Sequence, residues 1–201
     1  VFIHKFIAGT SGQTVLALHG TGGTENDLVP LAQSLFPDAN ILAPRGNVME
    51  RGMARFFKRF AEGVFDVENL KSETQKLADF VLESSQKYDF DASQVWGMGF
   101  SNGANIAASL LLERPEILSG AVLLRAMIPF EPDALPDLTN KPIFIASGQY
   151  DPIVPVNDVV NLADILRDAG AKVKHQIVAG DHGLVSHEIE SLKAWLGETN
   201  Q

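Results

Sequence analysis

Short uninterrupted apolar runs recur along this chain, and most are followed by a segment of helical periodicity. Residues 15–18, 40–43, 94–100, 121–124 and 143–146 are strand-length runs, and residues 172–178 alternate as a further strand. Helical patterns begin at Asn26 or Asp27 and extend to Leu35, then cover 67–88, 102–113, 156–169 and 185–196. Pro115 and Gly170 punctuate two of these ends. Strands that are apolar on both faces must be covered on both faces, and their alternation with helices implies βαβ units. The chain is therefore expected to form a mostly parallel open sheet with helices on both sides. Residues 1–7 read as an additional edge strand, and residues 45–66 as irregular. With no linker, repeat or low-complexity tract, residues 1–201 read as one α/β domain.

The charge balance narrows the function classes. Lys plus Arg number 16 against 25 Asp plus Glu, a formal charge of −9, which disfavours a general nucleic-acid binder. The absence of cysteine excludes a disulfide framework, a thiolate nucleophile and a cysteine-ligated metal. No apolar run approaches the ~18–20 residues of a spanning helix. No charged-then-apolar signal peptide is read at the start; the chain begins at Val1, so a leader could precede it. A cytoplasmic setting is expected.

Gly99-Phe100-Ser101-Asn102-Gly103 is a G-x-S-x-G pentapeptide with a strand running in and a helix running out. That context is what a nucleophile elbow requires: the serine sits on a strained turn, and side chains at 99 and 103 would crowd the backbone. The helix that follows favours negative charge at its N-terminus. The plainer alternative is that Ser101 only caps that helix.

A serine hydroxyl needs a base, and the base an orienting carboxylate. In the elbow's chain order, serine is followed by the acid and then the histidine. Of the histidines beyond Ser101, His175 falls in a strand and His187 in a helix, whereas His182 sits in the loop Gly180-Asp181-His182-Gly183 after a strand. Loops at the carboxyl ends of strands carry the site of an open α/β sheet, so His182 is the expected base. Asp151 is the expected acid by the same reasoning, just past the strand that ends in Ser147-Gly148-Gln149-Tyr150. Asp181 lacks a separate strand end, and Asp158 falls in a helix. Two backbone donors should hold an oxyanion: the N–H of Asn102 and one from His19-Gly20-Thr21-Gly22-Gly23, with Thr21 chosen and Gly22 the alternative. That loop lacks the lysine of a P-loop and the spacing of a dinucleotide fingerprint. His19 reads as a structural histidine that positions the loop.

These segments together resemble the α/β-hydrolase superfamily and, within it, the small phospholipase/carboxylesterase family, which includes acyl-protein thioesterases and bacterial esterases. The matching stretches are Leu18 to Gly23, Gly97 to Ala104, Ser147 to Pro155 and Gly180 to Gly183. Pro44-Arg45-Gly46, Arg55-Phe56-Phe57 and Glu62 to Asp66 are similar to a bacterial branch of predicted esterases. The resemblance implies esterase or thioesterase activity, no metal or organic cofactor, and frequent homodimers. Asn102 stands where acyl-protein thioesterases carry Gln, which points to the bacterial esterase branch.

A minimal sheet uses most of the chain, so no cap domain is expected, and the site should be a shallow cleft. Residues 45–66 and 126–137 are the candidates for its rim. Gly22, Phe56, Phe57 and Met127 are candidate substrate contacts, although the phenylalanines could equally anchor a long loop to the core. Arg55, Lys58 and Arg59 read first as a solvated cationic surface and second as an attractor of anionic substrates. The expected function is a serine carboxylesterase acting on small esters. The alternatives are a thioesterase or lysophospholipase with the same residues, and a non-catalytic ligand-binding protein on the same fold.

Overall fold

The computed structural model describes residues 2–199. In chain order its elements are β1 (His4–Ile7), β2 (Thr14–Leu18), α1 (Val29–Leu35), β3 (Asn40–Pro44), β4 (Val48–Glu50), β5 (Met53–Arg55), β6 (Arg59–Ala61) and β7 (Val64–Phe65). There follow α2 (Val67–Tyr88), β8 (Val95–Phe100), α3 (Asn102–Glu113), β9 (Gly120–Leu124), β10 (Pro142–Gly148), α4 (Val156–Asp168), β11 (Lys172–Val178) and α5 (Ser186–Thr199). Seven strands form one sheet in the order β1-β3-β2-β8-β9-β10-β11. All neighbours are parallel except β1, which runs antiparallel to β3 at the edge. This is the expected single-domain α/β fold. The edge strand covers His4–Ile7 of the segment expected from 1–7, and Val1 lies outside the described residues.

The apolar runs do what their composition demands. Leu16, Leu18, Leu42, Leu123, Ile143 and Ile145 face one core, with α2, α3 and α4. Their neighbours Val15, Ala17, Ile41, Val122, Phe144 and Ala146 face the other, with α1 and α5. Period-two alternation thus feeds two apolar layers, which is why these strands lack a polar face. α2 starts where Asp66 accepts a hydrogen bond from the Asn69 amide at 3.1 Å. It ends at Asp89 in the left-handed conformation. Neither Asn26 nor Asp27 caps α1: the helix starts later, with Pro30 in its first turn.

Residues 45–66 depart from the irregular reading. They form two short antiparallel hairpins, β4–β5 and β6–β7, turning at Gly52 (φ 82°) and Gly63 (φ 73°). Strands of two or three residues carry too little alternation to be recognised in a sequence. Among the described residues no helix is long and apolar enough to cross a membrane.

Candidate active site

The strand β8 delivers the chain to Ser101 at φ 52°, ψ −116°, a conformation costly for a residue with a side chain. The turn is possible because its flanks are glycine. A Cβ on Gly103 would collide with the carbonyls of Leu18 and His19, and one on Gly99 with the backbone of Gly103. Ser101 N–H donates to the Leu124 carbonyl at 2.8 Å, tying the turn to the neighbouring strand. The Ser101 side chain makes no capping bond, so the helix-cap alternative has no support in the geometry.

Three carboxyl-end loops converge here. Ser101 Oγ lies 2.9 Å from His182 Nε2, and His182 Nδ1 lies 2.7 Å from Asp151 Oδ2. A carboxylate only accepts, so Nδ1 carries the proton and Nε2 is left to accept from the serine hydroxyl. The Asp151 side chain is fully buried and that of His182 is 20% exposed. The other oxygen of Asp151 accepts from the amides of Ile153 and Val154 at 2.8 and 3.0 Å, which holds the carboxylate in place. His175 is elsewhere, bonded to Ser147 Oγ at 2.8 Å from within β11, and burial lowers its pKa.

The loop after β2 supplies backbone donors to the same place. Gly22 N–H is used by the Ala54 carbonyl at 2.8 Å, and Gly23 N–H by Gly20 at 3.1 Å. Gly22 is thereby withdrawn as an alternative oxyanion donor. The amides of Thr21 and Asn102 have no partner among the described residues. His19 braces this loop. Its Nδ1–H donates to the Gly20 carbonyl at 2.6 Å, and its Nε2 accepts from Gly46 N–H at 3.0 Å. Burial holds its pKa below the usual histidine value.

Ser101 and His182 open onto a cavity of about 250 Å³ whose wall includes Thr21, Phe65, Met127 and Ile153. Met127 lines this cavity, and its amide is held by Asn105 Oδ1 at 2.8 Å. Phe56, Phe57 and Gly22 do not reach the wall. Both phenylalanines are fully buried in the core, where Phe57 meets Phe65 edge-on at 5.1 Å. Their place at the cavity is taken by Phe65, while Phe60 is 76% exposed. Of the two segments expected at the rim, the first contributes Arg55, Arg59, Glu62, Gly63 and Phe65 and the second Met127.

Two features escaped the sequence. Arg125, just past β9 at φ 60°, is completely buried. Its Nη1 and Nη2 reach Glu188 of α5 at 2.7 and 2.9 Å. Its Nε donates to the Asp181 carbonyl at 3.1 Å, and Nη2 also donates to the Gly183 carbonyl. The guanidinium thus grips the residues on both sides of His182. Asn102 Oδ1 accepts from the Phe56 amide at 2.7 Å, mooring the β5–β6 segment to the elbow and leaving Asn102 Nδ2 buried without a partner. An arginine after an apolar strand carries no motif, and neither bond is local in sequence.

Comparison with known proteins agrees with this architecture. The model of the phospholipase/carboxylesterase family matches residues 8–200. MhqD of Bacillus subtilis (strain 168), named as a presumed hydrolase, is 44% identical over 195 residues, which span 97% of this chain and 98% of that protein. A carboxylesterase from Bacillus cereus superposes with a TM-score of 0.96 at 42% identity, covering 98% of this chain and 94% of the other. The structure of YahD with malic acid gives a TM-score of 0.93 at 32% identity over 99% of this chain and all of that one (100%). The sheet, the elbow and the converging loops are those of an α/β-hydrolase, and the named relatives include a hydrolase and a carboxylesterase. The chain belongs to the phospholipase/carboxylesterase family.

Proposed function

We propose that the protein is a serine carboxylesterase that hydrolyses small carboxylic esters through an acyl-enzyme on Ser101. The single observation that carries this reading is the hydrogen-bonded chain from Ser101 Oγ through His182 to the buried Asp151. Ser101 Oγ attacks the acyl carbonyl as its proton passes to His182 Nε2. The oxyanion accepts from the amides of Thr21 and Asn102, where the N-terminus of α3 adds a favourable field. The C–O bond breaks, and the alcohol leaves with the proton from His182. Water then repeats the sequence and releases the acid. Asp151 keeps the proton on Nδ1 and stabilises the imidazolium without taking the proton itself.

A cavity of about 250 Å³ favours short acyl groups over the long chains of a lysophospholipase. A non-catalytic binder would have no use for a strained serine whose hydroxyl caps no helix and instead bonds a tautomer-locked histidine. The test is labelling with a fluorophosphonate, together with hydrolysis of p-nitrophenyl esters from acetate to palmitate. Wild-type protein should label and prefer short chains. Ser101→Ala should lose the label and on the order of 10⁴-fold or more of turnover. An optimum at long chains would support the lipid or thioester reading, and absence of serine-dependent labelling and turnover would support a binder.

A further inference from the structure

The cavity wall holds three arginines, Arg55, Arg59 and Arg125, and their charges are not balanced alike. Arg125 has a carboxylate to itself, since it and Glu188 are both fully buried and doubly bonded. Glu50 instead serves two guanidiniums. Both its oxygens lie 3.1 Å from Arg59 Nε, and Arg55 Nε stands farther off at 3.5 Å. One carboxylate against two cations leaves a net positive charge. Glu62 also lines the cavity, but it lies on the exposed tip of the β6–β7 hairpin, where water screens it.

The excess charge sits on the less hydrated side chain. Arg55 is 2% exposed, against a 23% exposed side chain for Arg59. Its neutral partners are the Thr21 hydroxyl, 2.6 Å from Nη1, and the Phe57 carbonyl, 3.2 Å from Nε. A guanidinium has five N–H donors, so three remain without a partner among the described residues, on a side chain that lines the cavity. A buried cation with no carboxylate of its own is expensive to maintain. Burial and the nearby Arg59 hold its pKa down to about 10, still charged at neutral pH. The charge also stands beside the proposed oxyanion loop, because its Nη1 bond is to Thr21.

We propose that Arg55 anchors an anion subsite, and that the preferred substrates are small esters bearing a free carboxylate, such as half-esters of short dicarboxylic acids. This rests on the esterase reading above. The planar fork pairs with a carboxylate through two parallel bonds, and in a cavity of this size the second carboxylate lies only a few bonds from the scissile carbonyl. Of the two sequence readings of Arg55, a solvated surface or an attractor of anionic substrates, its burial favours the second.

The experiment compares monoethyl succinate with its neutral isostere ethyl 4-methylpentanoate, measured as kcat/KM in a pH-stat. Wild-type protein should favour the anionic ester by roughly tenfold to a hundredfold, the range expected of charge-assisted hydrogen bonds. Arg55→Met should collapse that ratio, mainly through KM of the anionic ester, whatever its effect on overall rate. Arg55→Lys should keep an intermediate ratio, since it retains charge without the fork. Glu50→Gln should raise the ratio by removing the competing carboxylate. Equal turnover of the two esters by wild type, or a preference that survives Arg55→Met, overturns the proposal. If neither ester is cleaved while p-nitrophenyl acetate still is, the subsite fails but the esterase stands. If p-nitrophenyl acetate turnover and Ser101 labelling are both missing, the esterase reading itself falls.

Discussion

Arg125 and Glu188 form an ion pair with both side chains fully buried, and the guanidinium of that pair also binds the carbonyls of Asp181 and Gly183, the two neighbours of His182. The pair joins the end of β9 to the first turn of α5, and the histidine loop leads from β11 into that same helix. A buried pair of this kind is weak evidence for net stability, but removing one partner strands the other charge, at a cost of about 3–5 kcal/mol. Glu188→Ala and Arg125→Met should each lower the urea midpoint markedly and reduce kcat by loosening His182. The double variant Arg125→Met/Glu188→Leu should recover stability relative to either single variant, because no charge is left buried. Its kcat should stay low, because the grip on the loop carbonyls is gone. Denaturation curves and kcat on the same preparations check both parts.

Gly103 lets α3 approach β2 at the elbow. Gly103→Ala puts a methyl group into the carbonyls of Leu18 and His19, backbone atoms of a central strand and the loop after it that cannot swing aside. The expected result is loss of esterase activity with a substantial drop in thermal midpoint. Gly52→Ala is the control: its methyl would meet nothing, and only the positive φ of 82° would be strained. It should therefore cost little beyond about 1 kcal/mol.

His19 makes stability depend on pH. It is buried and neutral, with Nε2 accepting from Gly46, and its pKa lies below the usual 6.5 mainly through desolvation. The unfolded chain therefore binds more protons than the folded one, so stability rises with pH. The contribution is complete above about 6.5 and is lost as pH falls from there toward the lower folded value. His175, also lowered by burial, adds in the same direction. Urea midpoints at pH 7.5 and 5.5 should differ in wild type, and the difference should shrink in His19→Gln and further in His19→Gln/His175→Gln.

Asn102 ties the elbow to the hairpin segment. Asn102→Ala removes the acceptor for the buried Phe56 amide, which should cost about 1–3 kcal/mol. Because Phe56 follows Arg55, the same change should raise KM for the ester substrates more than it lowers kcat, the proposed oxyanion donor at 102 being backbone. A kinetic comparison with wild type at one pH decides this.

How much of this was legible in the chain differs by feature. Strands apolar on both faces declare themselves because burial on both sides leaves no polar residue in the run, and five helices followed from spacing and punctuation. The candidates Ser101, Asp151 and His182 were readable because an elbow leaves glycines in the sequence and strand ends leave loops. The two hairpins were not, since strands of two or three residues have no measurable period. Phe56 and Phe57 were ambiguous for another reason: an aromatic residue in a loop segment looks the same whether it lines a cavity or fills a core.

The sequence by itself determined the layered α/β architecture, the order of the elements and the residues available for chemistry, because these follow from local periodicity and local turns. Only the tertiary structure decided which charges were buried and what they met. Arg125 and Glu188 are 63 positions apart, and Arg55 and Thr21 are 34 apart. Residue type alone assigns an arginine to solvent. Its fate changes only when the fold brings a carboxylate, a carbonyl or an empty cavity to it, and no pattern within a few turns of chain records that distance.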